Sequence, residues 1–288
     1  VPQPILLSID FLATERSGKG RPARSTASGI MEYTPVAVLS TVSFELIAKV
    51  SQVIFIQNGM NKTTTAAKLS ACVTSAVHAI CAVLSAIVLL SRSSKIHDDR
   101  IFGRDDSATI LLAFSAGFFL HDILDISRRL NRLGDIVSLF HHCLSFAIYI
   151  TTALTPVAQY WATVFLLYEL STPFLSLQNF MTSVQWGSRS TLNVVRLLFA
   201  IVFIVVRILL GSVATVYVWI DFLPLLSLQP SHPYLHATYR SYSFDRHPHV
   251  LVPTAFLVAT GLFSSLNLYW GFLIAQKIRR AISATKSN

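Results

Sequence analysis

The sequence predicts an all-α protein that crosses a membrane about seven times. Three observations carry that expectation. Charged residues make up only 13% of the 288, against 53% hydrophobic, whereas soluble domains carry about 25% charged residues. The mean hydropathy is +0.57. Several apolar runs also reach the roughly 20 residues that a spanning helix needs. The net charge is +9, but the Lys and Arg residues sit between apolar runs, where they act as topology signals. No basic stripe interleaved with aromatics and no DNA-binding motif is present, so nucleic acid is not an expected partner.

Residues 1–30 differ from the rest, being rich in Ser, Arg, Gly and Ala from Glu15 to Gly29. They read as a flexible tail; Asp10 and Glu15 count against a transit peptide. The chain begins with Val, and Met31-Glu32-Tyr33 opens directly into the first apolar run. Met31 is therefore the expected natural start, with residues 1–30 an extension. Residues 31–67 then supply a first spanning helix and a loop. Seven helices are expected in all, at about 34–57, 69–91, 108–127, 136–155, 158–180, 192–220 and 250–275. The first carries Glu45 and Lys49, one turn apart and able to pair.

The three cysteines, Cys72, Cys81 and Cys143, all fall inside apolar runs, which argues against a disulfide framework. A long loop at about 221–249 contains His232, His236, His247 and His249. No carboxylate or thiol cluster completes a metal site there, so it reads as a polar, aromatic cap at the membrane surface. Lys62, Lys68, Arg128, Arg129, Arg132, Arg189, Lys277, Arg279 and Arg280 gather on one side, which favours a cytosolic C-terminus. That orientation puts the sequon Asn61-Lys62-Thr63 in the cytosol. Lys286 extends the basic end, so residues 281–288 read as a basic tail.

Ionisable groups within spanning helices are costly and usually face the bundle interior. The third helix carries His121, Asp122 and Asp125; His121 and Asp125 are four apart and share a face. The fourth carries Asp135, the pair His141-His142, and Tyr149, with Asp135, His142 and Tyr149 on one stripe. Residues 128–135 join the two helices, so they should be antiparallel neighbours. Both sets then lie roughly 8–9 Å from the same membrane face, and imidazole and carboxylate can meet at one level. A carboxylate beside imidazole stabilises the cation and fixes its tautomer, as general acid–base chemistry requires.

His121 with Asp125 can equally be an interhelical polar clamp. Two adjacent imidazoles point about 100° apart and cannot share one packing role. A metal held by His121, His141, His142 and a carboxylate is not expected, because no spaced motif such as HxxxH accompanies them. His78, alone on its helix, reads as a packed polar residue. In the fifth helix Pro173 should kink the chain beside Glu169 and Ser171. Arg207 in the sixth lies at similar depth to Glu169, as an ion pair or as part of a ligand site.

The string from Asp135 to Phe146, with His141 and His142 at its centre, resembles the core of the TLC domain shared by ceramide synthases and smaller TLC-domain proteins. Leu167 to Phe174 resembles the next helix of the smaller proteins, with its Glu-Leu-Ser-x-Pro-Phe pattern, and Val205-Val-Arg207-Ile their following one. Asp122 falls where they carry an aspartate. The resemblance covers residues 68–280. It implies a barrel of six helices around a lipid-sized chamber and a location in the endoplasmic reticulum or a related membrane. It also implies a role in lipid homeostasis.

In ceramide synthases the paired histidines are the centre of acyl transfer from acyl-CoA to a sphingoid base. Carried over, His141 and His142 are base and acyl carrier, in either order, with His121, Asp122 and Asp125 completing the candidate catalytic set. Asp135, Tyr149, Glu169, Ser171, Pro173 and Arg207 are then a lipid-binding or structural polar core. The resemblance implies no cofactor beyond acyl-CoA as co-substrate; the partners are membrane lipids, with a sphingoid base or a phospholipid as acceptor. One departure stands out. Ceramide synthases place a His-Asp-x-x-Asp string downstream of the histidine pair, and here the similar string, His121 to Asp125, lies upstream. That favours the smaller proteins, among which a non-enzymatic lipid-binding or membrane-composition regulator, or a lipid transporter or trafficking factor, are the alternatives to an acyltransferase.

Overall fold

The structure is a computed structural model, and it describes residues 26–60, 63–130, 133–155, 157–227 and 248–286. Among them, six helices are long and apolar enough to cross a membrane, and no strand is present. The protein is an all-α polytopic membrane protein. Lipid offers no hydrogen-bond partner to the backbone, so each crossing segment must satisfy its own amides and carbonyls, as a helix does.

In chain order the helices are α1 (Thr26–Gln57), α2 (Thr63–Arg92), the short α3 (Ser94–Asp98), α4 (Asp106–Arg128) and α5 (Leu133–Leu154). Next come α6 (Gln159–Leu166), a 3-10 turn (Leu167–Ser171) and α7 (Thr172–Val184). The chain continues through α8 (Arg189–Phe203), a π-helical turn (Ile204–Leu209), α9 (Leu210–Phe222), a second 3-10 turn (Leu223–Ser227) and α10 (Pro248–Lys286).

The expected helix at 158–180 is thus a broken one. Its pieces still traverse the bundle: Gln159 accepts from the Asp105 amide at the head of α4 (3.0 Å), and Phe180 packs on Phe55 near the end of α1 (ring centroids 6.0 Å). The helix at 192–220 likewise contains a π-turn. Two ends differ from expectation. α1 starts at Thr26, inside the stretch read as a tail, and α10 runs to Lys286 through most of the basic end. Helix propagation adds a hydrogen bond for each residue ordered, so an anchored helix extends beyond its apolar core. His232, His236 and His247 lie outside the described residues, as do Asn61, Lys62 and residues 1–25; His249 falls in the first turn of α10.

Neighbouring helices close a ring in the order α2, α4, α5, α10, α9 with α8, and α7 with α6, which returns to α2. α1 lies outside the ring against α4 and α2. The burial follows: 67% of the apolar span of α4 is buried and only 11% of that of α1. Gly117 sets the approach of α1 to α4, since a Cβ there would lie 2.3 Å from the Ala37 carbonyl oxygen and 2.5 Å from Ser40 Cβ. Ser40 and Thr41 hydroxyls donate to the Phe114 and Gly117 carbonyls across that contact (2.7 and 3.0 Å).

The end of α4 that lies away from the histidines is fixed by a polar cap. The Asp105 carboxylate accepts from the Ser107 and Ala108 amides (2.8 and 3.3 Å) and from Ser93 Oγ (3.0 Å). Burial pushes this carboxyl up, but those hydrogen bonds and the nearby Lys95 outweigh it and hold it below its ordinary value.

Candidate functional site

α4 and α5 share the most extensive contact among the described elements. Their antiparallel packing brings His142 Nε2 to 3.0 Å from Asp122 Oδ2. The other ring nitrogen, Nδ1, lies 2.7 Å from the Ser138 carbonyl one turn earlier and 3.4 Å from its hydroxyl. A carbonyl only accepts, so Nδ1 carries a hydrogen. Nε2 then faces the Asp122 carboxylate, so the two contacts together fix the orientation of the His142 ring.

His141 points elsewhere. Its ring stands at 87° to that of His142 (centroids 5.3 Å) and meets Phe263 and Trp270 of α10 edge-on at 5.3 and 5.1 Å. Its Nδ1 is buried without a hydrogen-bond partner. Ser145 Oγ donates to the His141 backbone oxygen one turn earlier (2.9 Å).

His141 opens on a cavity inside the ring, also lined by Tyr149, Tyr168, Glu169, Arg207 and Phe263. Its volume, swept by the centre of a water-sized sphere, is about 20 Å³. One water needs roughly 10–15 Å³ on that measure. The lipid-sized chamber implied by the resemblance is therefore reduced here to a slot. Aromatic rings fill the difference; Phe119, for example, stacks on Tyr149 (5.3 Å, 7°) and lies 5.7 Å from His142.

On the opposite wall Arg207 binds Glu169 (Nη2 to Oε1, 3.3 Å). Local backbone geometry makes this possible. Pro173 has no amide to give the Glu169 carbonyl, so the Thr172 amide takes it in a 3-10 bond. That releases the Tyr168 carbonyl from the Thr172 amide, and it accepts from Arg207 Nε (3.0 Å) and from Ser171 Oγ (3.2 Å). Nε also donates to Ser171 Oγ (3.0 Å) and Nη2 to Thr172 Oγ1 (3.4 Å), while Thr172 donates to Glu169 Oε2 (2.6 Å). Pro173 itself opens α7. The kink expected from Pro173 is this 3-10 turn.

Two members of the sequence-derived set are not brought to the histidine pair. His121 turns to α1, with Nδ1 3.2 Å from Glu45 Oε2. Asp125 pairs with Arg129 one turn on. Sharing a face with each other did not place either towards α5, because Asp122, about 100° round the helix, occupies the interface. The expected Glu45–Lys49 pair is present at 3.6 Å, and Arg128 joins it at 3.3 Å. Asp135 lies in the first turn of α5, about 10 Å along the axis from His142.

His78 is fully buried and stacked on Phe118 (3.9 Å, 6°). Among the described residues no group of three or more His, Cys, Asp or Glu is placed to hold a metal. The cysteines are free. Sequence reasoning missed Ser138, Phe263, Trp270 and the Tyr168 carbonyl. Only Ser138, the i−4 neighbour of His142, was open to discovery from spacing.

These features define a polytopic membrane protein with a buried polar centre inside a ring of helices. The TLC domain model matches residues 68–276, well over half of the chain, and the chain belongs to the TLC domain family. It is 27% identical over 135 residues to TLC domain-containing protein 4-B of Danio rerio, covering 46% of this chain and 51% of that one. It is 32% identical over 145 residues to Topoisomerase I damage affected protein 4 of Saccharomyces cerevisiae (48% and 51%). With TLC domain-containing protein 4 of Homo sapiens it shares 23% over 186 residues (64% of each). The chain thus spans about half to under two-thirds of the length of these relatives.

Proposed function

We propose that this protein acts on membrane lipids through the paired histidines, as an acyltransferase that draws on acyl-CoA. The observation that carries the reading is the division of labour between the two rings. His142 has both nitrogens engaged, by Ser138 and Asp122, whereas His141 Nδ1 is unpartnered beside the cavity. That supports His141 as the nucleophile and acyl carrier and His142–Asp122 as the acid–base pair. Nδ1 attacks the thioester carbonyl and the C–S bond breaks. Coenzyme A leaves as the thiol with a proton from His142. The amine or hydroxyl of the acceptor then attacks the acyl-imidazole and returns a proton to the pair. The basic C-terminal end supports a cytosolic face for acyl-CoA entry, and an endoplasmic reticulum location is part of the same reading.

The test is an acyl-transfer assay on protein purified in lipid, offering acyl-CoA with a sphingoid base or a lysophospholipid. Product is expected from the wild type and none from His141→Ala or His142→Ala. Product retained in either mutant, or absent from folded wild type, sinks the enzyme reading. A second reading, a non-enzymatic lipid-binding regulator of membrane composition, is favoured by the narrow cavity. It predicts lipid that copurifies even when both histidines are replaced.

A further inference from the structure

α10 contributes more to the site than the two rings that touch His141. Phe263, Asn267 and Trp270 fall at i, i+4 and i+7, so they form one stripe on that helix. Phe263 and Trp270 both meet the His141 ring edge-on, which places Asn267 between them on the wall that faces His141. Asn267 is 3% exposed and its Oδ1 is buried with no hydrogen-bond partner. His141 Nδ1 is in the same condition. A buried polar atom left unpaired carries its full desolvation cost, and a packed helix would be more stable with Leu at this position. Phe263 lines the cavity with His141, and Asn267 lies one turn further along the same stripe of α10; two unpaired atoms on facing helices are expected where a ligand supplies the missing partners.

We infer that Asn267 is a ligand-positioning residue, which accepts a hydrogen bond from a hydroxyl or amino group at the polar end of the bound lipid. The amide oxygen can only accept, so the ligand must donate. An ester or ether oxygen, or a quaternary ammonium, cannot meet that need. The donating group would then lie between Asn267 Oδ1 and His141 Nδ1, with its chain running out between helices. This inference rests on the reading that the ring interior binds lipid, and the experiment separates failure of the two.

Binding of 1-oleoylglycerol and of its di-O-methyl ether is measured by native mass spectrometry on protein in phosphatidylcholine nanodiscs. The two probes share a chain and differ in donors. Wild type is expected to prefer the free glycerol by about tenfold, the worth of one buried hydrogen bond. Asn267→Leu should abolish the preference by weakening only the free glycerol, with a thermal midpoint unchanged or raised. Asn267→Asp, which keeps an acceptor, should retain it. An asparagine that merely holds helices together would instead lower the midpoint and leave the preference intact. Equal binding of the two probes by wild type, or a preference that survives Asn267→Leu, overturns the inference while the lipid site stands. Binding of neither probe by folded wild type overturns the lipid reading and the inference with it.

Discussion

Two buried polar clusters face the same cavity and are built on opposite plans. At the Arg207 cluster the partners are supplied within the protein. Both oxygens of Glu169 accept a hydrogen bond, and the guanidinium makes four, to Tyr168, Ser171, Glu169 and Thr172. At the histidine cluster His142 is held by Ser138 and Asp122, yet His141 beside it keeps a nitrogen without a partner. A satisfied network rigidifies. An unsatisfied one retains binding capacity at a cost in stability, the usual mark of a site that works on something else. The comparison makes Glu169 with Arg207 the clamp that shapes the cavity, and on the proposed function His141 is the group that uses it.

That contrast can be broken most forcefully at the clamp. Arg207→Met removes one partner of a buried ion pair and leaves Glu169 uncompensated, which typically costs about 3–5 kcal/mol. A large fall in the thermal midpoint in detergent is expected, and a midpoint within a degree or two of wild type would show that the clamp is not structural. The converse holds at the histidines. On the proposed acyl-transfer reading, His142→Ala and Asp122→Asn lower turnover by about 10²–10⁴-fold, the usual reach of acid–base groups, with far smaller changes in midpoint. Stability loss on the scale of Arg207→Met would erase the distinction between the clusters.

Thr172→Val sharpens the comparison further. It leaves Glu169 Oε2 unpaired at an expected cost of about 1–3 kcal/mol, read as a smaller midpoint shift in the same assay. The smallest effect lies at the far end of α4. Loss of the Asp105 cap in Asp105→Ala should cost about 1 kcal/mol. Because the folded carboxyl is held below its ordinary value of 3.8, its contribution is present above that pH and is lost as pH falls through the lower folded value. The mutant's deficit should therefore shrink below about pH 4, and a deficit constant down to acid pH would contradict the assignment.

Much of the architecture was legible in advance. The short link between α4 and α5 required antiparallel neighbours, and equal depth then brought Asp122 to His142 and Glu169 to Arg207. The reading failed where depth was not enough. His121 and Asp125 had the right level but the wrong azimuth, and turned to Glu45 and Arg129. The width of the cavity could not be read, because it depends on how Phe119, Tyr149 and Tyr168 fill the space between helices distant in sequence. No spacing rule singles out Asn267, and the His141 ring met by Phe263 and Trp270 of the same helix lies more than a hundred residues earlier.

By itself the sequence determined that this is a multi-pass helical protein, because hydrophobic length and the need to satisfy backbone groups in lipid leave little else. It also determined which polar residues lie within the spanning segments. Only the tertiary structure decided which of them meet. Helix rotation and the π-turn at Arg207 are set by packing between helices, which no local pattern of residues encodes, whereas the 3-10 turn follows locally from Pro173.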